Sequence, residues 1–160
     1  FDALTELYNR ETIESQIDNE ITLSEARKSE MAVLFIDVDD FKHYNDQYSH
    51  ATGDQVLKFV ARTIKGTVNE FGFAGRYGGD EFIACIRNAE INDPTRAAQD
   101  IISKLEEGFE CDGVHLTVSV SIGISMIKDD YNTRVEYIIG KADDAMYSVK
   151  KNGKSNYAFI

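Results

Sequence analysis

The sequence predicts an α/β (α+β) fold, a mostly antiparallel central sheet flanked by helices. Three observations carry that expectation. Met31–Val38 is a short apolar run, as a buried central strand requires. Residues 118–126 alternate strictly, Val118, Val120, Ile122, Ile124 and Met126 against Ser119, Ser121, Gly123 and Ser125, which reads as a strand with one polar face. Two further strand-like runs, 71–77 and 82–86, meet at Gly78-Gly79, a hairpin signal resting on glycine's tolerance of positive φ.

The remaining elements follow in order. Asn9 is placed to cap a first helix whose Ile13, Ile17 and Ile21 line one face. After the central strand, a short helix is expected at about 40–47, then a loop, Ser49-His50-Ala51-Thr52-Gly53. A longer helix comes next, with Val56, Leu57, Val60, Ala61 and Ile64 inward. Beyond the hairpin, Asp93-Pro94 starts a helix with the apolar stripe Ala97, Ala98, Ile101, Ile102 and Leu105. The last helix spans about 134–151, burying Val135, Ile138, Ile139, Ala142, Ala145, Met146 and Val149. Asn152-Gly153 ends it, and residues 157–160 close the sheet as a short strand.

A chain of 160 residues, 42% hydrophobic and with a single proline, is read as one domain over residues 1–160. It begins with Phe1 and is taken as a piece excised from a longer protein. No apolar run approaches a membrane span, so no membrane contact is expected of the domain. Cys85 and Cys111 match neither a disulfide framework nor a zinc site, and a reducing, cytoplasmic setting is expected. The net charge of −11 repels a nucleic-acid backbone and argues against DNA or RNA as partner. It leaves room for a nucleotide held through a metal ion and a few lysines.

The chemistry concentrates in acids at strand ends. Asp80 and Glu81 follow the two glycines directly, and a turn has no need of two adjacent carboxylates. Carboxylates beside a turn without bulky side chains suit a hard cation and a close phosphate. Asp37 and Asp39 end the central strand, two apart and so on one side. An acid there is costly without a partner, and a metal is a candidate.

Three clusters, Asp37-Val38-Asp39-Asp40-Phe41-Lys42 with Asn45, His50 with Gly53-Asp54, and Gly78-Gly79-Asp80-Glu81-Phe82, together resemble the GGDEF family of diguanylate cyclases. So do Asp2-Ala3-Leu4-Thr5, Asn9-Arg10, Arg76-Tyr77, and Ala142-Asp143 with Tyr147, Lys150 and Gly153. The resemblance covers nearly the whole chain.

The resemblance implies a five-stranded sheet like the palm of nucleotidyl cyclases and polymerases. It also implies condensation of two GTP into cyclic di-GMP across two facing domains, a homodimer in catalysis, with an upstream sensory region. By the same resemblance, Asp37, the Val38 backbone carbonyl, Asp80 and Glu81 hold Mg²⁺ (Mn²⁺ being possible). Asp80 takes the 3′-hydroxyl proton, and Lys42 offsets phosphate charge. Asn45 and Asp54 read guanine, for which an amide and a carboxylate are matching groups. Phe41, His50, Gly79, Lys150 and Lys154 complete the GTP contacts. Asp54 reads equally as a helix cap, and the lysines as cations at a helix C-terminus. A non-catalytic GGDEF module that binds GTP and signals through protein contacts is the alternative. Two departures stand out. Ser49 replaces the usual glycine before His50, and would strain the loop if φ must be positive. Asn69 and Gly72 stand where many members carry the Arg-x-x-Asp product-inhibition motif.

Overall fold

The computed structural model describes residues 1–159. The elements are α1 (Arg10–Arg27), β1 (Met31–Val38), α2 (Phe41–Gln47), α3 (His50–Val68), β2 (Gly72–Arg76), β3 (Glu81–Arg87), α4 (Pro94–Glu107), β4 (Phe109–Cys111), β5 (Val114–Leu116), β6 (Val120–Ile127), α5 (Val135–Lys151) and β7 (Tyr157–Phe159). The five-stranded sheet has the order β2-β3-β1-β6-β7, antiparallel except for the parallel β6–β7 pair. The expected closing strand is thus present at Tyr157–Phe159, while Ile160 lies outside the described residues.

β1 is central because both its faces are apolar. Ala32, Leu34, Ile36 and Val38 pack against Val56, Val60 and Ile64 of α3 and Ala98 and Ile101 of α4. Met31, Val33 and Phe35 meet Ile13, Ile17 and Ile21 of α1 and Ile138, Ala142 and Met146 of α5. Asn9 caps α1 as expected, its side chain accepting from the Thr12 amide at 2.9 Å. Asp93 caps α4 in the same way, with Pro94 at the first helical position. Among the described residues no helix is long and apolar enough to cross a membrane.

Two local expectations are revised, and two features come from the fold alone. The polar face of β6 lies inside the protein: Ser121 and Ser125 are fully buried, on the strand that packs against α5. Gly123 lets that helix come close, since a Cβ there would run into the Ala142 carbonyl oxygen. The expected loop before Gly53 is helical, because Ser49 caps α3 and accepts from the Thr52 amide at 3.1 Å. Ser49 is extended, at φ −172°, so it strains nothing. Finally, β4 and β5 form a small hairpin that periodicity does not reveal, turning on Asp112 and Gly113 at φ 50° and 79°. Phe109 anchors it by stacking on Phe59, with centroids 4.5 Å apart.

Candidate active site

The sheet register brings the acids together. Asp37, near the end of β1, is paired directly with Glu81 at the start of β3 and with Ser121 in β6. The Val38 amide donates to the Asp80 carbonyl at 3.1 Å, which fixes the hairpin tip against the central strand. Burial, then Asp80, push the Asp37 carboxyl up to about 7, Lys150 opposes, and Glu81 adds to the rise. The Glu81 carboxyl is also raised, by burial, then by Asp143 and Asp80, with Arg10 and Lys150 opposing. This end of the sheet thus carries crowded, under-compensated negative charge.

The glycine turn works differently from the expectation. Neither Gly78 nor Gly79 has positive φ. Gly78 is small because a Cβ there would run into Glu81 Oε1, whereas a Cβ at Gly79 would meet nothing within 4 Å. The turn is clamped from outside. Arg76 donates to the Gly79 carbonyl through Nε at 3.1 Å and Nη2 at 2.8 Å. Its Nη1 pairs with Asp2 at 3.3 Å, and Asp2 in turn accepts from the Thr5 amide and hydroxyl at 2.9 and 2.7 Å. The tyrosine before the turn is tied down as well, Tyr77 Oη donating to Glu14 at 2.7 Å.

A cavity of about 390 Å³ opens beside the tip, lined by Phe41, Lys42, Asn45, His50, Asp54, Leu57, Arg76, Gly79 and Asp80. Seven of these nine were singled out from the sequence; Leu57 and Arg76 were not assigned there. Gly53 makes room for the guanine-reading candidate, because a Cβ on it would run into Asn45 Oδ1. Asp54 lies inside α3 and is exposed, so the cap role belongs to Ser49 instead.

The two lysines sit on the other side of β1. Lys150 Nζ lies 2.9 Å from Asp39 Oδ1, 3.3 Å from the Val38 carbonyl oxygen and 3.4 Å from Asp37 Oδ1. Lys154 Nζ lies 2.8 Å from Asp40 Oδ1, with both side chains well exposed. Asp39, a metal candidate by position, is already satisfied. It accepts from Ser119 Oγ at 2.5 Å, Ser121 Oγ at 2.7 Å and the Ser155 amide at 3.1 Å. Burial alone would raise its carboxyl, but these bonds and Lys150 hold it below the usual value.

Among the described residues no three His, Cys, Asp or Glu side chains form a ready-made metal cage. The donor set at Asp37, Val38, Asp80 and Glu81 is nonetheless all oxygen. Oxygen is the ligand type Mg²⁺ takes, with waters and substrate phosphates filling the positions the protein leaves open. At the position of the product-inhibition motif, a Cβ on Gly72 would run into the Cys85 carbonyl oxygen, so no carboxylate fits there without a backbone shift.

A family model described as diguanylate cyclase, GGDEF domain, matches residues 1–156. The bifunctional diguanylate cyclase/cyclic di-GMP phosphodiesterase MucR of Pseudomonas aeruginosa is 35% identical over 159 residues, 99% of this chain and 23% of that protein. Diguanylate cyclase DosC of Escherichia coli is 35% identical over 158 residues, 96% of this chain and 34% of that protein. The chain therefore spans only a part of the curated relatives it matches. Among solved structures, the GGDEF domain of TpbB (YfiN) from Pseudomonas aeruginosa superposes with a TM-score of 0.92 at 33% identity, covering 99% of this chain and 92% of that one. The GGDEF domain of DgcB from Caulobacter crescentus, in complex with c-di-GMP, gives 0.90 at 25% identity, covering 99% and 94%.

Proposed function

The chain belongs to the GGDEF diguanylate cyclase family, and on that premise we propose that it condenses two GTP into cyclic di-GMP with release of two pyrophosphates. Each domain holds one GTP, and two domains face each other. The 3′-hydroxyl oxygen of one GTP bonds to the α-phosphorus of the other, the α–β phosphoanhydride bond breaks, and pyrophosphate leaves. The same step repeated closes the ring.

The observation that carries this reading is the pairing of Asp37 with Glu81, next in the chain to Asp80, which itself lines a cavity together with Asn45 and Asp54. It joins a phosphate-handling end to a base-reading end. Asp37, the Val38 carbonyl, Asp80 and Glu81 would hold Mg²⁺, with Mn²⁺ as a substitute. When bound, the cation neutralises phosphate oxygens and lowers the cost of ionising the attacking hydroxyl. Asp80 lines the cavity and takes the 3′-hydroxyl proton. Lys42, exposed at the same wall, stabilises the charge that spreads over the α-phosphate. Asn45 and Asp54 pair with the guanine edge, Phe41 and His50 flank the nucleoside, and the open space at Gly79 admits the phosphates. Lys150 and Lys154 hold the β- and γ-phosphates.

The domain is read as one unit of a longer signalling protein, which would supply dimerisation. Cyclic di-GMP is expected on incubation with GTP and Mg²⁺, resolved by chromatography, with a rate per domain that rises with protein concentration. GTP binding without product would favour the non-catalytic module, and a concentration-independent rate would contradict the two-domain reaction.

A further inference from the structure

We propose that Asp39 is a positioning residue that anchors Lys150, and through its turn Lys154, against the triphosphate. This inference rests on the diguanylate cyclase reading and deepens it.

The argument starts from the three donors of an ammonium group. Lys150 Nζ faces three acceptors: Asp39 Oδ1, the Val38 carbonyl and Asp37 Oδ1. Two of those three belong to residues proposed to hold the cation, which would claim them when Mg²⁺ and GTP bind. Asp39 is the one acceptor that substrate leaves alone. It keeps the ammonium in place while the other two donors are freed for phosphate oxygens.

Asp39 is built for that task. Its side chain is 2% exposed, and its charge is shared among neutral donors, the hydroxyls of Ser119 and Ser121 and the Ser155 amide. A buried carboxylate with this many fixed donors cannot swing to follow a cation. The lysine, by contrast, is a point charge on a flexible four-carbon stem and needs such an anchor.

The Ser155 bond extends the effect. Gly153, Lys154 and Ser155 are successive left-handed residues, at φ 109°, 64° and 46°. Two of them are not glycine, so the turn needs support from outside. Asp39 provides it by accepting the Ser155 amide, which fixes where Lys154 leaves the backbone. The exposed Asp40–Lys154 pair then holds that side chain only loosely.

The test is binding of 3′-deoxy-GTP, which lacks the attacking hydroxyl, compared with GMP, which lacks the β- and γ-phosphates. Both are measured by calorimetry with Mg²⁺, on wild type, Asp39→Asn, Lys150→Met and the double variant. Asp39→Asn is expected to weaken 3′-deoxy-GTP about tenfold, the scale seen where a second group orients a ligand-holding side chain. GMP affinity should stay at the wild-type value. In the Lys150→Met background, Asp39→Asn should have only the remaining effect through Lys154, well short of its full effect alone. Ser119→Ala/Ser121→Ala keeps the charge and loosens the anchor. It should show the same selective loss, and it decides the matter if thermal melting shows Asp39→Asn unfolded. Equal weakening of both ligands, full additivity with Lys150→Met, or unchanged 3′-deoxy-GTP affinity would overturn the inference while leaving the wild-type reading intact. A wild type that binds neither nucleotide would overturn both.

Discussion

The carboxylate end of the proposed site and its nucleotide cavity are held by different parts of the molecule. Asp37 and Glu81 face each other on two adjacent strands, β1 and β3, where register fixes their spacing, and Asp39, just past the end of β1, is held by Ser119 and Ser121. Phe41, Lys42 and Asn45 sit on α2, a seven-residue helix with no buried residue. Its N-cap, Asp40, is left-handed and makes no side-chain cap bond. Tyr44 is α2's tether to the sheet side, its hydroxyl donating to the Thr117 carbonyl at 2.7 Å. These acids are crowded where strand register fixes them, so the cost of bringing them together is met by folding rather than by substrate. Of the two residues proposed to read the base, Asn45 stands on α2, which has no buried residue, and Asp54 on α3, which buries seven. The proposed phosphate end is thus held by strand register, and the proposed guanine end is shared between a lightly held helix and a core-packed one.

The largest expected effect tests the cavity side. Asn45→Ala and Asp54→Ala should each erode the preference for GTP over ATP by about 10²-fold, because a site built to hydrogen-bond one base rejects another through unmatched groups. Competing-substrate rates measure this, and comparable cyclic dinucleotide yields from ATP and GTP with wild type would break the assignment.

A second pair of variants tests the carboxylate side. Gly78→Ala places a methyl where Glu81 Oε1 now lies, and Gly79→Ala points into open space. The first should lower kcat/KM about tenfold through a displaced carboxylate, with stability changed by less than about 1 kcal/mol, since a flexible side-chain end can move. The second should fold as wild type, and any loss should appear in KM for GTP. Equal behaviour of the two variants in steady-state kinetics would show that the turn is not shaped around Glu81.

The smallest effect concerns the outer clamp. Burial raises the Asp2 carboxyl, but hydrogen bonds from Thr5 and the Arg76 charge outweigh it and leave it below the usual 3.8. A depressed carboxyl stabilises the fold above its unfolded value, and that contribution is lost as pH falls through the lower folded value. Asp2→Asn should therefore cost about 1 kcal/mol or less near pH 7. The gap from wild type should close below pH 3.8 in denaturant melts. A gap that persists at the lowest pH would mean that Asp2 acts by packing alone.

Much of this arrangement was legible in the chain. Asp37 could be placed because it ends an apolar strand, and Asp80 and Glu81 because they follow two glycines. The α1 and α4 caps could be read because Asn9 and Asp93 act on amides two or three residues away. What escaped depends on distance or on context. Asp39 looked like a metal candidate because its partners Ser119 and Ser121 stand 80 and 82 residues away. The polar face of β6 was legible as an alternation, but nothing local announces that α5 covers it and buries Ser121 and Ser125. Arg76 was visible as a motif residue, but its grip on the Gly79 carbonyl needs the folded turn. The β4–β5 hairpin was a different kind of miss. Asp112-Gly113 is a turn signal in plain view, but strands of three residues are too short to show a period.

The central claim is that the acids at the strand ends turn over GTP. The most direct measurement compares wild type and Asp80→Ala for thermal melting, GTP binding and cyclic di-GMP formation with Mg²⁺. The account predicts a folded variant that makes no product beside a wild type that does. A folded Asp80→Ala protein with near wild-type turnover would contradict it.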